Sequence, residues 1–150
     1  MKKLVSLAVM LFTLFSFSFG QKEKSENDNK KGKVTVPAAA KAALLKKYPE
    51  AKGVTWEAEK GNYEANWGGK SGEDHSVQFT PAGDFVEIVD AIPVSQLPKA
   101  VFTYVATNYP NAKITEAGKV TDSKGKQTYE AEVKGKDLIF DLDGKYLTKD

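Results

Sequence analysis

The strongest constraint on the fold is an internal duplication of the chain. A shift of 61 residues superposes six identical residues within the 17 positions from 36 to 52, and it places Tyr48-Pro49 on Tyr109-Pro110. A second window matches in the same register, which indicates a tandem repeat with units at about 34–92 and 93–150. The other matches include Pro37 with Pro98, Ala39 with Ala100, Phe79 with Phe140 and Gly83 with Gly144.

The register slips by five residues between the two windows. Tyr63-Glu64-Ala65 matches Tyr129-Glu130-Ala131 with a shift of 66. The segment from Gly68 to Asp74 has no counterpart of equal length in the second unit. The first repeat therefore carries an insertion between its second and third predicted strands.

Each repeat is predicted to begin with a helix. Pro37 and Pro98 suit the first helical turn, where a missing N–H costs nothing, and Ser95 is a candidate cap for the second helix. Each helix must end by its tyrosine, because the residue that follows is proline. Apolar residues spaced by four form the face that we expect to pack on the core: Ala40, Leu44 and Tyr48 in the first helix, and Val101, Val105 and Tyr109 in the second.

Four strands are predicted after each helix, from alternating apolar and polar residues bounded by turns such as Gly61-Asn62, Lys124-Gly125 and Asp143-Gly144. The sequence predicts an α+β fold in which two α-β-β-β-β repeats form one curved antiparallel sheet of up to eight strands, with the helices on one face. A unit of this size is marginal alone, so we expect the halves to share one core. The predicted strands are 54–59, 63–67, 76–80, 85–92, 114–121, 128–133, 138–142 and 145–147.

The first 20 residues have the pattern of a cleavable signal peptide. Lys2 and Lys3 precede an apolar run that ends at Phe19, and small residues lie before Gln21. No Cys follows the run, so a lipoprotein is excluded, and we expect a periplasmic or secreted protein without membrane attachment after cleavage. Residues 21–33 contain no apolar side chain and are predicted to be a disordered polar linker. Residues 34–150 then form a single domain.

The composition excludes several classes of function. The chain has no Cys and one His, and all 22 of its basic residues are Lys. It therefore has no disulfides, no thiolate nucleophile and no arginine fork for phosphate or guanine, and nucleic-acid binding is not expected. The formal charge of +2 comes from Lys2 and Lys3, so the chain after residue 20 is neutral.

Two clusters of acidic residues are weighed as candidate metal sites. Glu73-Asp74-His75 contains the only His and lies at the end of the insertion. Asp141-Leu142-Asp143-Gly144 is similar to the start of a calcium loop, but its later ligands are missing. Both are better explained as loops or hairpin turns. The sequence therefore predicts no metal ligands, no catalytic residues and no cofactor, and hence not an enzyme.

The repeated pattern resembles a known family. A helix ending in Tyr-Pro, a hairpin with Tyr-Glu-Ala, and Phe-x-x-x-Gly followed by an aromatic residue, all duplicated behind a signal peptide, are similar to the PepSY-like, beta-lactamase-inhibitor-like secreted proteins of bacteria. The resemblance covers about 34–147. It implies a curved antiparallel sheet backed by helices and a role in binding. The inhibitor that gives the family its name is disulfide-bonded, whereas this chain has no Cys, so inhibition itself is not carried over.

The placement of the carboxylates is the feature that bears on function. If the strand aromatics Trp56, Tyr63, Trp67 and Phe79 face the helices, acidic side chains line the opposite face. That face attracts a cationic partner, or it is simply solvated. The candidate partner-binding residues are Glu57, Glu59, Glu64, Glu87, Glu130, Glu132 and Asp141.

Two functions are expected from these features. The leading one is a non-enzymatic binding protein that engages a protein or peptide, cationic or otherwise, through the sheet face. The alternative is a cell-envelope protein that binds a small ligand or a cation, such as haem or calcium.

Overall fold

The computed structural model describes residues 34–149. The predicted signal peptide and linker lie outside the described residues. The two predicted α-β-β-β-β units are confirmed. The elements are α1 (Ala38–Lys47), β1 (Thr55–Glu59), β2 (Asn62–Trp67), β3 (His75–Phe79), β4 (Phe85–Ala91), a short 3-10 helix (Val94–Gln96), α2 (Lys99–Asn108), β5 (Ile114–Asp122), β6 (Gln127–Val133), β7 (Lys136–Phe140) and β8 (Tyr146–Lys149).

Both helices begin and end at equivalent residues. Pro37 and Pro98 occupy the position before the first helical residue, one place earlier than the pattern suggested. Tyr48 ends α1, as predicted, and its backbone N–H donates to the carbonyl of Leu44 at 2.7 Å. Ser95 does not cap α2, since it lies in the preceding 3-10 helix.

The sheet follows the order of the chain. Its eight strands are hydrogen-bonded as β1-β2-β3-β4-β5-β6-β7-β8, and every neighbouring pair is antiparallel. β4 and β5 join the two repeats through five cross-strand pairs, which run from Glu87 with Asp122 to Ala91 with Gly118. Connections between sequential antiparallel strands are short, so each repeat builds its own half of the sheet.

Each helix packs on its own half, and the structure has two hydrophobic clusters rather than the single core that was expected. Because the helices lie over different strands, the halves share the sheet and not the core. The first cluster comprises Val36, Ala40, Leu44, Ala65, Trp67, Val77 and Phe79. The second comprises Leu97, Val101, Val105, Ala117, Ala131, Val133, Leu138 and Phe140. Trp56 and Tyr63 pack against the first cluster, and Tyr129 packs against the second, as predicted.

Three hairpins close through the same turn. The first residue of each turn donates its N–H to the carbonyl four residues later, and a glycine N–H donates back to the first residue's carbonyl. In two of the turns an aspartate side chain adds two hydrogen bonds: Asp141 Oδ1 accepts the N–H groups of Asp143 and Lys145 at 3.0 and 2.8 Å. The segment that is similar to a calcium loop is therefore a hairpin turn. The turns are Thr80–Asp84, Asp122–Lys126 and Asp141–Lys145.

One of these turn glycines also lies against a helix. Gly83 has a φ of +88°, and a Cβ placed on it would lie 2.7 Å from the carbonyl oxygen of Ala39 at the start of α1. Gly125 has a similar φ of +80°, but nothing lies within 4 Å of the same position. The two glycines therefore separate the cost of the backbone conformation from the cost of the close contact.

We expect Gly83→Ala to destabilise the fold more than Gly125→Ala. Both substitutions strain a left-handed backbone, at a cost of about 1 kcal/mol. Only the first also forces a methyl group into the backbone of α1, which adds about 1–3 kcal/mol. The free energies of unfolding, measured by urea denaturation, test this. Equal losses in the two variants would contradict the contact between the turn and the helix.

Candidate functional site

The sheet face opposite the helices carries a row of acidic and amide side chains in the first repeat. Glu57 pairs across strands with Glu64, Glu64 with Gln78, and Gln78 with Glu87. Glu64, Gln78 and Glu87 are buried, with 3%, 2% and 4% of their surface exposed. Three carboxylates therefore lie along one line across β1, β2 and β4, with Gln78 on β3 between two of them.

Hydrogen bonds from amide side chains tie this row to the β1–β2 turn. Gln78 Nε2 donates to Glu59 Oε2 at 3.0 Å, and Asn62 Nδ2 donates to Gln78 Oε1 at 3.4 Å. Lys60 lies at the turn with its ammonium 4.0 Å from Glu59 Oε1. Gln78 spaces Glu64 from Glu87 and fixes the Glu59 side chain. The amides therefore support a fixed arrangement of like charges.

The second repeat places carboxylates where the first has neutral groups. Glu132 and Asp137 face each other across β6 and β7, and each is 4% exposed. The Thr115 hydroxyl donates to Glu132 Oε1 at 2.8 Å. At the equivalent place in the first repeat, the Ser76 hydroxyl donates to Asn66 Oδ1. The two halves thus share a backbone but differ in charge at this pair.

Glu130 is fully buried in the middle of the second half. It lies opposite Gly118 on one side and Ile139 on the other. Gly118 takes the place that Glu57 has in the first repeat, and the Val89 side chain lies 2.5 Å from where a Cβ on Gly118 would be, so β5 offers no second carboxylate beside Glu130. We call the whole surface the acidic face. Its carboxylates are Glu57, Glu59, Glu64, Glu87, Glu130, Glu132 and Asp137. Asp122 lies opposite Glu87 at the end of β5, but its carboxylate accepts hydrogen bonds from turn amides and it is not counted with them.

Lysines in the strands point to the other side of the sheet. Lys119, Lys136 and Lys149 pair across strands with Tyr129, Val133 and Leu138, all of which belong to the helix side. Among the strand residues of 34–149, the acidic face therefore carries no lysine. The charge separation that the alternation predicted is present in the described residues.

Six of the seven predicted candidates lie on this face, and Asp141 does not. Asp141 follows the end of β7, and its carboxylate is engaged by the turn amides. Asp137 was missed, because the predicted strand began one residue after it. The alternation of β7, extended back over Asp137-Leu138, would have placed that side chain opposite Glu132.

The only histidine of the sequence lies at the edge of the helix side. Its Nδ1 atom is 2.7 Å from Asp90 Oδ1 on the neighbouring strand, and its ring lies 5.3 Å from that of Trp67. Within residues 34–149, no group of three or more His, Cys, Asp or Glu side chains is arranged to hold a metal ion. His75 therefore forms a cross-strand pair with Asp90.

An open cavity of about 310 Å³ lies where the two repeats meet, between the insertion and the start of β5. Glu73, Asp74 and Glu116 supply its acidic lining, and Ile92 and Val94 supply part of its apolar lining. Burial raises the pKa of the Glu116 carboxyl, and the Glu132 and Glu73 carboxylates raise it further. The cavity is therefore a second acidic feature of the molecule, next to the Glu132–Asp137 pair.

The chain belongs to the family described as putative beta-lactamase-inhibitor-like, PepSY-like, whose model matches residues 62–148. The matched segment includes seven of the eight strands and α2. It begins at β2, so it contains the insertion and the second repeat as far as Thr148.

Solved structures of similar fold come from Bacteroides. A putative periplasmic protein of Bacteroides eggerthii has a TM-score of 0.62 at 23% identity, covering 78% of this chain and 89% of that one. A DUF2874 family protein of Bacteroides uniformis has a TM-score of 0.62 at 24% identity, covering 77% and 89%. A BLIP-like protein of Bacteroides fragilis has a TM-score of 0.57 at 24% identity, covering 82% and 91%. These similarities establish the fold.

Two further findings concern the context of the chain. No functionally curated protein matches its sequence. Among the described residues, neither helix is long and apolar enough to cross a membrane.

We expect Glu116→Gln to stabilise the protein at neutral pH and to have little effect in acid. A carboxyl with a raised pKa binds its proton more readily in the folded chain, so its charged form costs stability as the pH rises above its ordinary value of about 4.5. Replacing it with a neutral amide removes that cost. Thermal denaturation at pH 4 and pH 7 tests this, with the exposed Glu50→Gln as control. A similar change at both pH values would contradict it.

Proposed function

We propose that this chain is a periplasmic or secreted binding protein that engages a cationic protein or peptide through its acidic face. The observation that supports this is the separation of charge across the sheet: seven carboxylates on one side and the strand lysines on the other. Similar structures are described as periplasmic proteins, and the family is described as inhibitor-like, which agrees with a binding role.

Electrostatics favours a partner of opposite charge. Carboxylates gathered on a sheet produce a negative potential that draws in a cationic surface and orients it before contact. Regular strands hold these side chains, so little conformational entropy is lost when the partner binds. The amide links of Gln78 and Asn62 and the hydroxyl of Thr115 further restrict the carboxylates.

A second candidate follows from the cavity at the repeat junction. Its volume of about 310 Å³ lies near the lower end of the range of small-ligand pockets. Its mixture of carboxylates and apolar side chains suits a small organic cation. Calorimetric titration with spermidine would support this candidate by a fixed stoichiometry that is lost in Glu116→Gln.

We expect a charge-neutralised variant to lose the partner. Glu57, Glu59, Glu130 and Glu132 are changed to Gln, which keeps the side-chain shape and removes four charges. The control changes four exposed acids away from the strands of the acidic face, Glu50, Asp74, Asp84 and Asp143, to their amides. Because the loss of four carboxylates lowers the negative potential of the acidic face, binding of a cationic partner should weaken about tenfold or more in the first variant only.

The measurement has two stages. Partners are captured from periplasmic extract on the immobilised wild-type chain, identified by mass spectrometry, and then purified for titration against each variant. Binding of a basic partner should also weaken as the salt concentration rises. Recovery of the same partners at equal affinity by both variants would exclude the acidic face as the binding surface.

A further inference from the structure

The sheet is open, and its two edges differ. Within residues 34–149, β1 pairs only with β2, and β8 pairs only with β7. The outer side of an edge strand presents backbone N–H and C=O groups at every second residue, which are available to an added strand. The character of each edge therefore decides whether another chain can pair there.

The β8 edge has features that oppose strand addition. It is four residues long, Lys145 precedes it and Lys149 is its last residue, and its pairing with β7 is interrupted between Ile139 and Phe140. Short length, lysine and irregular pairing are the usual means by which proteins protect a sheet edge. The β1 edge is five residues long and carries no lysine between Thr55 and Glu59, and its five pairs with β2 run in one unbroken register.

The second repeat already shows a strand added at the equivalent place. β5 is the counterpart of β1, and its outer side is paired with β4 in an antiparallel register. Among residues 34–149, no strand takes the position beside β1 that β4 takes beside β5. The β5 residues that pair with β4 correspond to 57–61 of the first repeat. A neighbour added in the same register would therefore pair with Glu57, Ala58 and Glu59 of β1 and end at the Lys60-Gly61 turn.

The side chains of β1 define what that neighbour must carry. Trp56 and Ala58 point to the helix side, where Trp56 packs on Phe79 with ring centres 6.5 Å apart. Glu57 and Glu59 point to the acidic face. Neighbouring strands interact through side chains on the same face, so an added strand needs apolar residues beside the first pair and cationic residues beside the second.

We propose that β1 is a docking edge, which adds an extended segment of a partner protein in which apolar residues alternate with lysine or arginine. This rests on the proposed function and specifies it, because it names the edge, the strand geometry and the sequence pattern of the partner. The segment lies antiparallel to β1, as β4 lies against β5. Its cationic side chains reach the acidic face beside Glu57 and Glu59.

A second copy of this chain does not fit the same edge. Repeating the β4–β5 register between β8 of one copy and β1 of another would place Lys149 opposite Lys60. Pairing two β1 strands about their centres would place the two Glu57 carboxylates opposite each other. Like charges directly across strands are destabilising, so charge favours a cationic partner over self-association.

The experiment uses the full mature chain and three synthetic peptides. The first alternates valine and lysine, the second has the same composition in two blocks, and the third is the alternating peptide N-methylated at every second residue. We expect the alternating peptide to bind and to slow amide hydrogen exchange in β1, detected by NMR. The block and N-methylated peptides should bind about tenfold more weakly, because they cannot complete the strand ladder.

Matched charge reversals locate the contact. Glu57→Lys should weaken binding of the alternating peptide about threefold to tenfold. Asp143→Lys, an equal charge change in the exposed turn before β8, should leave that binding unchanged. Equal binding of all three peptides without protection of β1 would overturn the docking edge but leave the acidic face as a binding surface. If no peptide binds, the docking edge is overturned. The proposed function is then tested separately, by comparing the affinity of the captured partners for the wild-type chain and for the charge-neutralised variant.

Discussion

The pairing of β4 with β5 is the interaction on which the whole arrangement depends. Each repeat has its own helix and its own hydrophobic cluster, so the two halves are joined chiefly through the continuous sheet. Continuity has a second effect: it places the carboxylates of both repeats on one surface. Without that junction the acidic face would be two separate patches on two marginal units.

Placing both helices on one side leaves the other side free to differ between the repeats. The helix side of both halves keeps an apolar residue at equivalent positions, because a helix must pack on them. Tyr63, Phe79 and Phe85 correspond to Tyr129, Phe140 and Tyr146, whereas Trp56 and Trp67 are replaced by Ala117 and Val133. The opposite side replaces the neutral Asn66–Ser76 pair with Glu132–Asp137, and replaces Glu57 with Gly118. Core packing therefore constrains one face of the duplication, while the other is available for recognition.

Much of this architecture is readable from the sequence. Proline after tyrosine marks the helix ends, alternation marks all eight strands, and the same alternation assigns six of the seven acidic candidates to the correct face. The errors come where local pattern is weak. Asp141 follows the alternation but lies outside the sheet, where its carboxylate accepts hydrogen bonds from a turn. Asp137 was missed because it lies close to the Lys134-Gly135 turn, and the predicted strand began one residue after it. Separate cores were not predicted, because the pattern shows which residues are buried and not which helix covers them.

The insertion between β2 and β3 has a consequence for the symmetry of recognition. A molecule made of two similar halves offers a partner two similar poses, related by exchange of the repeats. The first repeat carries the loop from Gly68 to Asp74, whereas the second turns tightly at Lys134-Gly135, where both residues have positive φ. The loop lines a cavity on one side of the junction, and this makes the poses unequal. The two ends of the sheet are therefore distinguishable to a partner, although the fold is duplicated.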